Sequence, residues 1–400
     1  MSTITVVAPR SIEEAAEAVR HAARERAVVL ATGGNTKRTW TKPAARVDVE
    51  LSTRHLSGVV AYEPGDGVIT ALAGTPWAEL EALVARNGHH LSPAIPSPRG
   101  STVGGVVAAG QSGIDRLRYG PLRDHVLGLR VVMADGSVAK TGGRLVKNVT
   151  GFDLHRLHTG AHGTLGLVAE VSLRLQAAPQ LRAIGVGSFD DVGPALDSAR
   201  AVSRIARTTW SSLVREFDPP NASPRWQVFA TLGGSAAAVE ADTRALLSVR
   251  PELTWLAETS APDAARVDGL WGRAIGYELD RGSWRSVRVT CTPSRVDSLC
   301  AVLATCAGEL GLATNLVVDP AVGSIDAAIR PLGRDVVAVI AADLRRAGAR
   351  VHWRGLDDEL RARVDLDGGE EPAGLALMRR IRANLDPHGL WASGRLAGGL

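Results

Sequence analysis

The chain has 400 residues, 45% apolar and 22% charged, with a formal net charge of +4 and three cysteines. That length exceeds one ordinary domain and allows buried cores without disulfide staples. The positive excess is spread as isolated arginines, with no basic run among aromatics and no apolar stretch of about 18 residues, which argues against nucleic-acid binding and a membrane-spanning helix.

The start, MSTITVVAPRSIEEA, lacks a basic segment followed by an apolar core, so no secretory signal is expected. Residues 3–30 read as strand, helix, strand, with Ser11 and Glu14 forming a capping box that opens a helix over 12–24. The second strand, 28–31, runs into "ATGGNTKR" at 31–38. Open α/β sheets bind ligands at such strand ends. The glycines do not continue as GxGxxG and no acidic residue follows at the Rossmann distance, which disfavours a nicotinamide site. Residues 47–72 read as short strands broken by "EPGDG". Thr75 is the expected N-cap of the next helix, Pro76 its first residue and Gly88 its stop. The densest glycine region, "PSPRGSTVGGVVAAGQSG" (96–113), precedes a strand pair around Asp135-Gly136 and an alternating strand within 163–175.

After Pro179 the glycine clusters thin. Strands are expected at 183–190, 226–232, 286–291 and 314–318, and helices at 192–207, 235–249, 294–310 and 334–347. The expected fold class is α+β, with domains over 1–178 and 179–374 and a C-terminal segment, 375–400, that returns to the first. No internal repeat is visible.

Glycine stretches carry the chemistry. Gly33-Gly34 can present consecutive N–H groups as an anion nest. Gly100, Gly104, Gly105 and Gly110 add a second bare wall, where Ser101 and Thr102 bring hydroxyls that reach phosphate or ring carbonyl oxygens. Gly160, Gly163 and Gly166 form a third set. Any one cluster reads as a turn. Together they suit a long, flat, doubly anionic ligand such as a dinucleotide.

The order "ATGGNTK", "AGTPWAELEALVARNG", "GSTVGGVVAAGQSG", "RYGPLRDHVLGLRVVMADG", "GGRLVKNVTGFDLHRLHTGAHGTLGLVAEVSLRL" and "LDPHGLWASGR" resembles FAD-binding proteins of the PCMH type, the vanillyl-alcohol-oxidase superfamily. Within it, "GGVVAAGQSG" and "VKNVTGFDLHRL" resemble the FAD-binding E subunits of bacterial glycolate oxidases. The resemblance implies a two-subdomain FAD domain, a smaller α+β cap over the isoalloxazine, and an oxidoreductase carrying electrons through the flavin. It implies that Thr32, Gly33, Gly34, Asn35 and Thr36 serve the pyrophosphate end. Gly100, Ser101, Thr102, Gly104, Gly105, Ala108 and Gly110 would line the flavin, with Gly166 and Val168 beside it. Some relatives attach the flavin through a His at the first loop. Asn35 stands here and has no nucleophilic nitrogen, so FAD is expected to be non-covalent. The implied partners are a sister flavoprotein subunit and an iron–sulfur subunit, with a small-molecule substrate also open and any membrane association coming through those partners. Cytoplasm is the expected location.

The departures carry meaning. Many relatives show "GSEGTLG", where this chain has Gly160-Ala161-His162-Gly163. D-2-hydroxy-acid members carry a GHxGDGN-like metal cluster in the cap. Here the region after 182 holds only His352 and His388, so that site is not expected and oxidation of glycolate by this chain alone is in doubt. No catalytic residue is assigned.

The remaining candidates are weaker. His155, His158 and His162 have helical spacing, but Gly160 and Gly163 interrupt any helix and speak against a metal site. His89-His90 read as a loop pair. Lys147 would steady an anionic reduced flavin, or lie on a surface turn. Asp153 is expected to cap or to pair with Arg156, and Trp353 and Trp391 to be core. Arg273, Tyr277 and Arg288 are polar candidates for a stand-alone oxidoreductase of another small alcohol or hydroxy acid. A scaffold that has lost its flavin is the remaining reading, and the intact glycine loops argue against it. Cys291, Cys300 and Cys306 lack CxxC spacing and read as buried apolar residues.

Overall fold

A computed structural model describes residues 4–95, 100–144, 151–205, 207–215, 226–258, 284–330, 333–367 and 373–400. It divides into two compact units, one of 1–113, 121–178 and 371–400, the other of 114–120 and 179–370. Among the described residues no helix is long and apolar enough to cross a membrane.

The first unit opens with β1 (Thr5–Val7), α1 (Ile12–Arg24), β2 (Val29–Thr32) and β3 (Val49–Ser52). The strands form a parallel sheet in the order β1-β3-β2. Ser11 Oγ accepts the Glu14 N–H at 3.0 Å, as the capping box requires, but the Glu14 carboxylate reaches back to the Arg10 N–H, one residue earlier than expected. The helix buries Ile12, Ala15, Ala16, Val19 and Ala22.

Next come β4 (Val59–Glu63), β5 (Val68–Leu72), α2 (Trp77–Ala85), β6 (His89–Leu91) and α3 (Val103–Ala109). After α4 (Arg116–Tyr119) follow β7 (Val126–Val132), β8 (Val138–Gly142), α5 (Leu154–His158) and β9 (Leu167–Ala177). The second sheet runs β4-β5-β9-β7-β8, with β6 also paired to β9. Three outcomes differ from or match expectation. Helix α2 starts at Trp77, and Thr75 is not its cap. Its hydroxyl instead donates to Leu72 O at 2.7 Å and accepts the Gly58 N–H at 2.9 Å, because residues 73–77 are held by the start of α3: Trp77 N–H to Ser101 O, Val103 N–H to Thr75 O and Gly104 N–H to Ala73 O. His89 and His90 lie in a strand, not a loop. The Asp135-Gly136 hairpin forms as read, with Gly136 at φ +76°.

The second unit contains α4, β10 (Leu181–Phe189), α6 (Val192–Ser203), β11 (Thr208–Arg215), β12 (Trp226–Gly234), α7 (Ala236–Val249) and β13 (Thr254–Glu258). It continues with β14 (Arg285–Thr290), α8 (Val296–Glu309), β15 (Ala313–Asp319), β16 (Ser324–Arg330), α9 (Arg334–Arg346), β17 (Arg350–Arg354) and α10 (Asp358–Arg363). Its eight strands are antiparallel in the order β13-β10-β12-β11-β15-β16-β14-β17. The order βαββαβ occurs twice, over β10–β13 and over β14–β17, and the halves meet head to head at β11 and β15. This repeat of topology has no counterpart in the sequence. The chain ends with α11 (Leu375–Leu385) and a tail, both in the first unit.

Candidate functional site

Strand β2 ends in a groove of the first unit, lined by Thr32 through Arg38, by Thr102, Gly105 and Ala108 from the α3 region, and by His162 and Arg395. Asn35 sits at φ +57° and His162 at φ +52°, a left-handed conformation that few side-chain-bearing residues adopt. Strained residues of this kind gather at ligand sites.

The glycines divide into two groups by what a β-carbon would meet. At Gly34 it would lie 1.6 Å from Gly100 O, and at Gly104 2.6 Å from Ala73 Cβ. Those residues let the walls of the groove close on one another and on the sheet. Gly110 caps α3 at φ +59° and lies against Gly160, and Gly166 lies against Val131. Gly105 is itself on the groove, where an added β-carbon would meet only Thr102 Oγ1, at 3.0 Å. Part of the bareness read as a ligand wall therefore serves backbone packing.

Of the fourteen residues singled out from sequence, Thr32, Gly33, Gly34, Asn35, Thr36, Thr102, Gly105 and Ala108 line the groove. Gly100, Ser101, Gly104, Gly110, Gly166 and Val168 stand outside that lining. Ser101 is 1% exposed, and its hydroxyl lies 3.2 Å from that of Thr36. Val168 is in the core of the second sheet.

Sequence reasoning missed the positive charges. Lys37 Nζ donates to Thr36 Oγ1 and to Ser101 Oγ, both at 2.9 Å, and so ties the two loops together. Arg395 arrives from the C-terminus. Val29 donates to Leu390 O at 2.7 Å and Ala392 donates to Val29 O at 2.9 Å, which lays the tail beside β2. The Asp386 carboxylate accepts the Leu390 and Trp391 N–H groups, and Trp391 is fully buried. Arg395 then donates to His162 O at 2.6 Å and to Thr41 Oγ1 at 3.2 Å. The "TKR" following the glycines and the final "SGR" were the available signals. A groove of backbone N–H groups, small side chains, Lys37, Arg38 and Arg395 suits a flat ligand carrying phosphates.

His155 and His158 are buried behind this region on α5. Burial pushes His155 down and His158 down to about 4, so both are neutral at pH 7. Among the described residues no cluster of His, Cys, Asp or Glu is placed to hold a metal. Because the unfolded His158 titrates at 6.5 and the folded one near 4, its share of stability is complete above pH 6.5 and is lost as pH falls towards 4. That share amounts to about 3 kcal/mol. His158→Asn should flatten urea-derived stability against pH across that window, and an unchanged slope would show that another group governs it.

Asp153 pairs with Arg156 at 3.4 Å and makes no side-chain cap. Trp353 and Trp391 are core, as read. Cys300 and Cys306 are buried, their thiols pushed up to about 12 and about 11 by burial first and nearby carboxylates second. Lys147, Arg273 and Tyr277 lie outside the described residues. Arg288 belongs to the second unit's sheet.

Residues 4–142 match a family model described as FAD binding domain. The chain is 36% identical over 166 residues to glycolate oxidase subunit GlcE of Escherichia coli, covering 41% of this chain and 47% of that protein. It is 35% identical over 196 residues to the mitochondrial D-lactate dehydrogenase [cytochrome] of Arabidopsis thaliana, covering 49% of this chain and 34% of that protein. Over 200 residues it is 29% identical to glycolate oxidase subunit GlcD of Bacillus subtilis, covering 50% and 42%. The chain thus spans less than half the length of these curated relatives. Its fold is that of a solved alkyldihydroxyacetonephosphate synthase, with TM-score 0.70 and 16% identity over 96% of this chain and 75% of that one. These findings bear out the PCMH-type resemblance and give FAD as the cofactor.

Proposed function

We propose that this chain is the FAD-binding subunit of a glycolate-oxidase-like complex that oxidises a small 2-hydroxy acid. The observation that carries the reading is the groove itself: glycine loops, left-handed Asn35, and the cations Lys37 and Arg395 converge on one cradle, whose two glycine loops lie within the segment matched as an FAD binding domain. The likeness to subunit GlcE supports it.

The residues present fit the cofactor. The N–H groups of Gly33 through Thr36 would hold the pyrophosphate, with Lys37 and Arg395 offsetting its charge. Thr102, Gly105 and Ala108, which line the groove, would give the ring a flat wall. Ser101, Gly100, Gly104, Gly110, Gly166 and Val168 would support that wall from outside the lining. FAD supplies two-electron reduction followed by re-oxidation in one- or two-electron steps. Asn35 offers no nucleophilic nitrogen, so the cofactor is held without a covalent bond. A sister flavoprotein subunit and an iron–sulfur subunit are the partners through which electrons arrive and leave, and the cytoplasm, with membrane association through those partners, is the location.

The purified chain should be yellow, and acid precipitation should move the absorbance into the supernatant. Colour retained in the pellet would mean a covalent bond, for which His162 in the groove is the one imidazole among the lining residues. A colourless protein that takes up no added FAD would overturn the reading. Co-expression with a larger flavoprotein and a cysteine-rich ferredoxin-like protein should give one co-purifying assembly.

A further inference from the structure

Two buried titratable side chains of the first unit have no part in the reading above. His155 and His158 stand on α5 and are 7% and 6% exposed. The His155 N–H donates to Thr141 Oγ1 of β8 at 3.0 Å, and its ring Nδ1 is buried without a hydrogen-bond partner. The His158 ring packs on Gly166, just before β9, where an added β-carbon would lie 3.7 Å from its Cε1.

The chain leaving α5 is tied to the groove. Gly160 N–H donates to Val107 O at 3.0 Å and His162 N–H to Ala108 O at 2.8 Å, so the loop 159–163 hangs on α3, whose Gly105 and Ala108 line the groove. Arg395, also on the groove, donates to His162 O at 2.6 Å. The same loop is joined back to α5 by Ala161 N–H to His158 O at 3.2 Å and by Thr159 Oγ1 to His155 O at 2.8 Å. A displacement of α5 is thereby a displacement of the groove wall.

The charged groups around α5 are few. Its own turn carries Asp153 and Arg156, and Arg156 also reaches Asp124 at 3.2 Å. On the strands beside it, Arg130 of β7 pairs with Glu170 of β9 at 3.7 Å, Lys140 of β8 is exposed, and His125 is buried ahead of β7. Asp153 and Arg156 act on His155 in opposite senses, whereas burial is the cause that lowers His158. A proton placed on either ring while α5 is docked is a buried charge with no counter-ion on His158, and the chain relieves it by moving the ring into water.

We propose that α5 and the loop 159–163 form an acid-operated latch on the groove, closed while His155 and His158 are neutral and opened, with release of FAD, when they take up protons. The inference rests on the reading that FAD lies in this groove. The sign follows from the docked ring binding its proton less readily than the free one, so closure is complete above pH 6.5 and weakens as pH falls towards 4. For His158 alone, going from pH 7 to pH 5 favours opening by about 20-fold. The phosphate-side cations Lys37, Arg38 and Arg395 keep their charge over that range. A proton on His162 would act in the opposite sense, because an imidazolium beside phosphates tightens their binding.

Two measurements test this on the full chain. Hydrogen exchange of the apoprotein, corrected for the intrinsic effect of pH, reads the latch itself: amides of 155–165 should open about 20-fold more at pH 5 than at pH 7, while those of α1 stay within about twofold. Dilution of the FAD-loaded chain reads the release rate, which should rise by about the same factor. His158→Leu, an apolar side chain that takes no proton, should cut both factors to about threefold or less. His158→Asn serves the same comparison should the Leu variant not fold. Exchange at 155–165 that is the same at both pH values would overturn the proposal. So would FAD release at one rate across the range, or a His158 variant that keeps the wild-type dependence. Failure of the cofactor reading would show separately, as an apoprotein that takes up no FAD at pH 7.

Discussion

Gly34→Ala is expected to strip FAD from the chain and to destabilise the first unit by about 3 kcal/mol or more, the upper range for overpacking. The added methyl would sit 1.6 Å from Gly100 O and 2.8 Å from Gly100 C. Both are backbone atoms, so no rotamer change relieves the clash and the two loops must part. Gly33→Ala differs in kind. Its methyl would meet Thr102 Oγ1 at 2.5 Å, the end of a side chain that can turn away. The cost is then that hydroxyl's bond to the Gly105 N–H at the start of α3, about 1 kcal/mol for a lost cap. Gly105→Ala meets the same oxygen at 3.0 Å and gains about 1 kcal/mol of helix propensity, so it should be near neutral in stability. Any FAD it loses reports the methyl inside the groove. Apoprotein melting and FAD dissociation rates on the three variants should therefore rank Gly34, then Gly33, then Gly105. Equal effects at Gly34 and Gly105 would refute the packing role assigned to Gly34.

That ranking also shows what the sequence could and could not convey. The Gly33-Gly34 loop after β2 was legible because an apolar run ends abruptly in residues without side chains. It could not show whether Gly34 is bare for a ligand or for Gly100, since that depends on a contact 66 positions away. Charge was harder still. Lys37 adjoins the first loop, but Arg395 reaches the groove only because Leu390 and Ala392 pair with Val29. In the second unit helices α6 to α9 and four of the strands were read close to their observed positions, while α4, α10, β11, β13, β16 and β17 were not. Strand β11, "TTWSSLVR", looks too polar for a buried strand. Its inward hydroxyls are satisfied by helix carbonyls, Ser211 by Ala199 O and Thr208 by Val202 O, both at 2.7 Å. A hydrophobicity pattern does not register a buried polar group that finds its partner in tertiary structure. The doubled βαββαβ order was invisible for the same reason, because many residue choices satisfy one pattern of inward and outward positions.

Trp391→Ala should destabilise the first unit by about 3–5 kcal/mol, the usual cost of emptying a buried aromatic site. For a unit of this size that is a fall of roughly 10 °C in its melting temperature. Trp391 is fully buried in the cluster that contains Val29 and Leu51, and Arg382 holds its carbonyl at 2.7 Å. Removing the indole leaves a cavity under β2, the strand that ends in the cofactor loop, and loosens the tail that carries Arg395. Arg395→Ala separates the two consequences. Arg395 is only half-buried, so its loss should change melting by about 1 kcal/mol or less, while FAD dissociation quickens by about tenfold for one charge-assisted phosphate contact. The Trp391 variant should show both effects and the Arg395 variant only the second. An Arg395→Ala protein that keeps its flavin as the wild type does would make the tail purely structural, and would leave Lys37 and Arg38 as the cations facing the phosphates.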